Sequence, residues 1–155
     1  MFVHLNIHSI YSKMRSPLTF EELIILNKSQ QTLALTDINT VRGFINFVQF
    51  AQSNNMAPIA GVNLITNLDE LIILVENDIG YENMCSIITN YYANPDCSAV
   101  EFLKENSKGL FVITYQESLL RYLKYIIPDD RLFIELRPGI EESFVRKLSK
   151  KYKLE

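Results

Sequence analysis

Short apolar runs that do not alternate with polar residues are the feature that most constrains this chain. They occupy residues 2–7, 32–36, 58–65, 70–75, 110–114 and 132–136. A strand wetted on one face alternates, whereas an unbroken apolar run has both faces buried, as in a parallel sheet covered by helices. Helical patterns fill the intervals. Thr19 has the position of an N-cap, with Glu21 and Glu22 in the first turn, where carboxylates suit the positive end of the helix dipole. That helix is expected to run to about residue 28. Further helices are expected over 41–54, stopped by Asn54 and Asn55, and over 80–93, 100–105, 117–127 and 140–152. Repeated strand-then-helix units predict an α/β fold with about six mostly parallel strands, either an incomplete irregular barrel or an open sheet. In such folds the chemistry sits at the carboxyl ends of the strands. Here those ends are His8, Asp37, Asn63 and the surroundings of Gln116 and Arg137.

Length and composition fit one globular domain over residues 1–155, with 48% apolar and 21% charged residues. The net charge of -3 and a pI near 5.5 argue against a strong direct grip on DNA, which needs clustered positive charge. The one basic cluster, Arg146, Lys147, Lys150, Lys151 and Lys153, reads as the solvated face of the last helix. No apolar run approaches the roughly 18 residues that cross a membrane. Cys85 and Cys97 form no C-x-x-C pair and follow no secretory leader, so a reducing cytoplasm is expected, with Cys85 an inert thiol on an apolar helical stripe.

Three segments carry the candidate site. They are His4-Leu5-Asn6-Ile7-His8-Ser9-Ile10-Tyr11-Ser12, Leu33-Ala34-Leu35-Thr36-Asp37-Ile38-Asn39 with Gly43 soon after, and Pro58-Ile59-Ala60-Gly61-Val62-Asn63. Residues two apart in a strand share a face, so His4, Asn6 and His8 are expected on one side. Alone, that spacing is more often packing or hydrogen bonding than metal binding.

Together the segments resemble the PHP (polymerase and histidinol phosphatase) domain of the bacterial DNA polymerase III alpha subunit. The family opens with a pattern close to F-V-H-L-H-V-H-S-x-Y-S-L-L-D-G and continues with A-L-T-D-H-G-N-x-x-G and a P-I-x-G-C-E strand. Residues 70–84 resemble its H-L-x-L-L-A-x-N-x-x-G-Y-x-N-L segment, residues 109–116 its G-L-I-V-L-S-G-C segment, and residues 134–139 its L-E-x-Q-R-x-G segment. The order and spacing hold over almost the whole chain. The resemblance implies a barrel whose active members hydrolyse phosphoesters with a cluster of metal ions.

Carried over position by position, the family's ligands fall on Asn6, His8, Arg15, Asp37, Ile38, Asn63, Glu70 and Gln116. His8 and Asp37 keep the family's ligand type, and Glu70 replaces a histidine with another good donor. The other five positions lack the expected donor, and divalent ions need several anionic or imidazole groups. The resemblance therefore implies a degenerate metal site and no cofactor. A weak zinc, manganese or magnesium site through His8, Asp37 and Glu70 stays open as the alternative. Arg15, placed where the family has an acid, is expected to enter the cleft and pair with Asp37 or Glu70.

The function implied is a structural, non-hydrolytic role in DNA replication, within a parent protein that is a DNA-directed DNA polymerase and nucleotidyltransferase. The alternative is a metal-dependent phosphoesterase or 3'-5' exonuclease. The implied partners are the remainder of the alpha subunit and, in some lineages, a separate proofreading exonuclease. Resemblance also places the family's next ligand-bearing strand beyond residue 155. A sheet short of its closing strand is expected to self-associate. On the 41–54 helix, Val41, Phe44, Ile45 and Val48 make the expected core stripe, leaving Phe47 at its flank and Phe50 opposite as candidate contact residues.

Overall fold

A computed structural model describes residues 3–12, 14–137 and 139–154. Its elements follow the apolar runs. They are α1 (Phe20–Leu26), β1 (Thr32–Leu35), α2 (Phe44–Ser53), β2 (Ala57–Ile65), β3 (Glu70–Val75), α3 (Asp78–Ala93), α4 (Ala99–Glu105), β4 (Leu110–Thr114), α5 (Glu117–Leu123), a short 3-10 turn (Asp129–Arg131), β5 (Leu132–Ile134) and α6 (Glu142–Tyr152). The strands form one open sheet in chain order, β1-β2-β3-β4-β5. β1 runs parallel to β2 and β4 parallel to β5, while β3 is antiparallel to both its neighbours. Four strands therefore point one way, and the sheet is mostly parallel as expected.

The reversal of β3 positions the site. A short link after Ile65 turns the chain back, so that Ile65 pairs with Glu70. The first residue of β3 thereby lies at the sheet edge where β2 and β4 end.

The sheet has five strands among the described residues, where six apolar runs led us to expect six. The run at 2–7 is the exception, and Phe2 lies outside the described residues. From Val3 onward the segment runs beside β1 but builds no ladder. The Thr36 amide donates to the Ile7 carbonyl at 2.8 Å, yet the Ile7 amide donates to the Thr36 hydroxyl at 2.8 Å. A side chain has taken the place of a ladder partner.

The main core lies between β2–β5 and helices α3–α6, with Val62, Leu64, Ile73, Met84, Ile87, Leu103, Leu120 and Leu132 fully buried. A second core lies under α1 and α2, with Leu23, Leu33, Phe47 and Ala51. Each such side chain contributes about 1.5–3 kcal/mol relative to exposure. Thr19 caps α1 as the sequence predicts, and Glu22 returns the bond to complete a capping box. The stripe expected on α2 is displaced. Phe47 and Ala51 face the core and Ile45 is 57% exposed. Phe47, fully buried, is a core residue and not a contact residue, and Phe50 is half-buried against the second core. The helix meets the sheet on a face about a quarter turn from the one its periodicity suggests. No helix among the described residues is long and apolar enough to cross a membrane.

Candidate functional site at the strand ends

Two clusters occupy the strand ends. The first is built on β1. Its last residues lead to Asp37, which is 2% exposed. Its Oδ1 accepts the Ser9 amide and the Ser12 hydroxyl, both at 2.6 Å, and its Oδ2 accepts the Ser9 hydroxyl at 2.7 Å. The turn that delivers these donors is closed by the Ser12 amide on the Ser9 carbonyl at 2.9 Å. It lies close over α2. A Cβ on Gly43 would come within 2.6 Å of the Tyr11 ring. Ser9 and Ser12 lie inside the first motif, but nothing in the sequence says that they serve Asp37.

Asn6, His8 and Arg15 do come together, with His4, in one cleft of about 460 Å³. His8 is half-buried and its Nε2 meets no hydrogen-bond partner among the described residues. Burial lowers its pKa below the ordinary histidine value. Asp37 and Glu70 pull it upward and Arg15 pushes it further down, so the net direction is downward. Arg15 itself is exposed. It acts on His8 through space, while Asp37 and Glu70 have other partners. The expected pairing of Arg15 with either carboxylate is thus corrected.

Ile38 and Asn63 form a single parallel bridge between β1's end and β2. Asn63 is 3% exposed, and its Oδ1 is buried without a partner among the described residues. Asn39, at φ 52°, clamps the same join. Its amide donates to the Ile65 carbonyl and its Oδ1 accepts the Ile65 amide, both at 2.7 Å. Left-handed asparagine is tolerated because its short polar side chain bonds locally.

The second cluster centres on Glu70. Arg137, just past β5, donates to Glu70 Oε1 at 3.0 Å and Oε2 at 3.4 Å, and to Glu135 Oε2 at 2.8 Å. The guanidinium also lies 4.2 Å from the centroid of the Tyr115 ring. The Tyr115 hydroxyl donates to Glu70 Oε2 at 3.4 Å. Gln116 Oε1 accepts the Glu70 amide at 2.8 Å and so is spent on the start of β3. Burial works to raise the Glu70 pKa, but hydrogen bonds and charge from Arg137, aided by Asn63 and Tyr115, outweigh it and hold the carboxyl below its usual range. For Arg137, burial is outweighed by Glu70 and Glu135, and its pKa rises above the ordinary arginine value. The sequence placed Arg137 at a strand end. Its partner Glu135 was missed, and only the adjacency of the two in one motif signals it.

These residues do not fit a divalent metal cluster. Three of the roughly four acceptor sites of the Asp37 carboxylate are filled by the two serines. Ile38 has no donor, and both Glu70 oxygens face a guanidinium. What is left, His8 Nε2 and Asn63 Oδ1, brings no negative charge. No group of three or more His, Cys, Asp or Glu among the described residues is arranged to hold a metal ion.

Comparison with known proteins agrees with the motifs. Residues 4–120 match the PHP domain family. The DNA polymerase III subunit alpha of Ureaplasma parvum is 36% identical over 83 residues, covering 52% of this chain and 9% of that protein. The subunit of the same name from Staphylococcus aureus is 29% identical over 120 residues, covering 73% of this chain and 11% of the relative. That of Rickettsia bellii is 29% identical over 132 residues, covering 77% and 11%. The chain thus spans about a tenth of the length of these relatives. Among solved structures, one named for metal-dependent phosphoesterase activity, from Bifidobacterium adolescentis, superposes with a TM-score of 0.63 at 9% identity, covering 98% of this chain and 83% of that one. An amidohydrolase from Chromobacterium violaceum gives 0.61 at 11% identity, covering 98% and 84%. At those identities the likeness is one of fold.

Proposed function

The chain belongs to the PHP domain family, and from that premise we propose that it is a structural, non-hydrolytic PHP module of a DNA polymerase III alpha subunit. The observation that carries this reading is the state of Asp37. It keeps the family's ligand type, yet three of its roughly four acceptor sites are taken by Ser9 and Ser12, and it holds the first turn on the sheet. A group used in that way contributes to folding and has little left to offer an ion. The relatives that match over most of the chain are polymerase alpha subunits, which supports replication as the setting. The partner of such a module is the rest of the polymerase, with a proofreading exonuclease as a further partner.

A second reading has one observation in its favour. His8 Nε2 and Asn63 Oδ1 are buried and unpartnered among the described residues, as ligands awaiting an ion would be. In that reading the chain is a phosphoesterase or a 3'-5' exonuclease.

Hydrolysis separates the two. The purified chain is incubated with a generic phosphodiester and with single-stranded DNA, with Mn²⁺ or Zn²⁺ supplied. We expect no turnover above buffer. Turnover that survives purification to homogeneity and disappears in His8→Ala would overturn the structural reading.

A further inference from the structure

We propose that the guanidinium of Arg137 is the resident cation of the strand-end cluster, neutralising Glu70 and Glu135 in place of a divalent ion. The inference rests on the reading of the module as non-hydrolytic and deepens it by naming what stands where metal chemistry would be.

The geometry is that of a bridging cation. One guanidinium nitrogen, Nη2, lies 3.0 Å from Glu70 Oε1 and 2.8 Å from Glu135 Oε2. Two carboxylates that close to one point repel each other and need a positive charge between them. Their side chains are only 25% and 16% exposed, so water screens them weakly. Divalent ions meet this demand in many proteins, through the same carboxylate oxygens. Here the oxygens are engaged by a forked, permanently charged group. Tyr115 supports the fork from below, with its ring 4.2 Å from the guanidinium carbon.

The four residues also tie separate elements together. Glu70 opens β3, Tyr115 follows β4, and Glu135 and Arg137 follow β5. Because β3 runs against its neighbours, its first residue is the one that can meet the ends of β4 and β5. An ion pair at this point closes one end of the sheet. A metal ion would do the same, but it could be lost to a chelator, and Arg137 cannot.

Arg137→Met tests the assignment, since methionine keeps much of the volume and removes the charge. Melting temperatures are measured for wild type and variant in EDTA and in excess Mn²⁺. Wild type should melt at the same temperature in both. The variant should melt lower in EDTA and recover part of the loss in Mn²⁺, because its freed carboxylates then accept an ion. A variant as stable as wild type in EDTA would overturn the proposal. So would a variant that Mn²⁺ does not help, or a wild type that Mn²⁺ stabilises in a manner abolished by Glu70→Gln. If Arg137→Met does not fold, Arg137→Lys decides. It retains charge without the fork, so it should melt below wild type and ignore Mn²⁺, and a lysine variant stabilised by Mn²⁺ would sink the idea. Metal-dependent hydrolysis lost in His8→Ala, with wild-type melting indifferent to Mn²⁺ and to Glu70→Gln in that respect, would defeat the functional reading while supporting the role of Arg137.

Discussion

Ser12 both feeds and copies Asp37. Its hydroxyl donates to Asp37 Oδ1 at 2.6 Å and accepts the amide of Ile38 at 2.9 Å, so one side chain satisfies a buried carboxylate and the backbone next to it. Ser12 is 1% exposed. Ser12→Ala leaves a buried amide unpaired and removes one donor from a buried charge. Such losses cost about 1–3 kcal/mol. Urea denaturation should show a fall of that size with an unchanged slope. A cost below about 0.5 kcal/mol would mean that water replaces the hydroxyl, and the turn would not be anchored as described.

Acid should weaken the fold in two stages. His8 has a folded pKa below the ordinary histidine value of 6.5, with burial the main cause. The unfolded chain then takes up a proton that the folded chain resists. The stability tied to neutral His8 is complete above the unfolded pKa and lost as pH falls through the lower folded one. Glu70 has a folded pKa below the ordinary glutamate value of 4.5, despite burial, because of Arg137. Its contribution is complete above 4.5 and is lost at still lower pH. Melting temperature followed downward from neutral pH should therefore begin to drop near 6.5 and drop again below 4.5. His8→Gln should flatten the first stage only. A wild-type curve that is level until pH 4.5 would show that His8 protonates freely in the folded state.

Much of this was legible in the sequence, for identifiable reasons. β3 and β4 coincide with the apolar runs 70–75 and 110–114 because both ends of each are marked by polar or turn residues. The Thr19 cap was legible because its partner Glu22 is local. What was hidden depends on contacts distant in the chain. The first apolar run fails to become a strand because Thr36, 29 residues away, takes the Ile7 amide through its side chain. The direction of β3 leaves no mark in composition, since an apolar run buried on both faces reads the same either way. The choice of Arg137 over Arg15 as the partner of Glu70 depends on a pairing 67 residues apart in the chain. Periodicity on α2 misled because Phe44, Ile45, Phe47 and Val48 are all apolar, and only the packing decides which of them faces inward.

Gly80 carries a prediction that packing alone dictates. A Cβ built there would lie 1.9 Å from the carbonyl oxygen of Gly109. The obstacle is backbone, which cannot rotate away as a side chain would. The Gly109 carbonyl is itself held, since it accepts the Glu76 amide at 2.9 Å. Gly80→Ala must therefore push the start of α3 off the start of β4. Overpacking of this kind costs about 1–3 kcal/mol, against a propensity gain of about 1 kcal/mol for alanine in a helix. Net destabilisation should appear in thermal denaturation. A variant as stable as wild type would show that α3 and the Gly109 loop sit further apart than described.

The last prediction concerns the sheet face that the helices leave open. Leu5, Ile59, Leu74, Phe111, Ile113 and Phe133 line an apolar hollow of about 600 Å³. Ile113 and Phe133 are register partners across β4 and β5, and Phe111 packs on Phe133 at 6.3 Å between ring centroids. Apolar surface gathered in one concave patch marks an interaction site more often than scattered apolar residues do. Among the described residues β5 also pairs on one side only, so its outer edge offers free backbone groups for addition. In the parent protein the rest of the polymerase is our proposed cover. In isolation the nearest substitute is a second copy, so the chain should self-associate. Sedimentation over a wide concentration range should give an average mass that rises with concentration. Ile113→Thr together with Phe133→Thr keeps strand propensity while removing apolar surface, and should return the chain to a monomer without unfolding it. A wild type that stays monomeric throughout, or a double variant that associates as strongly, would exclude this face as the contact.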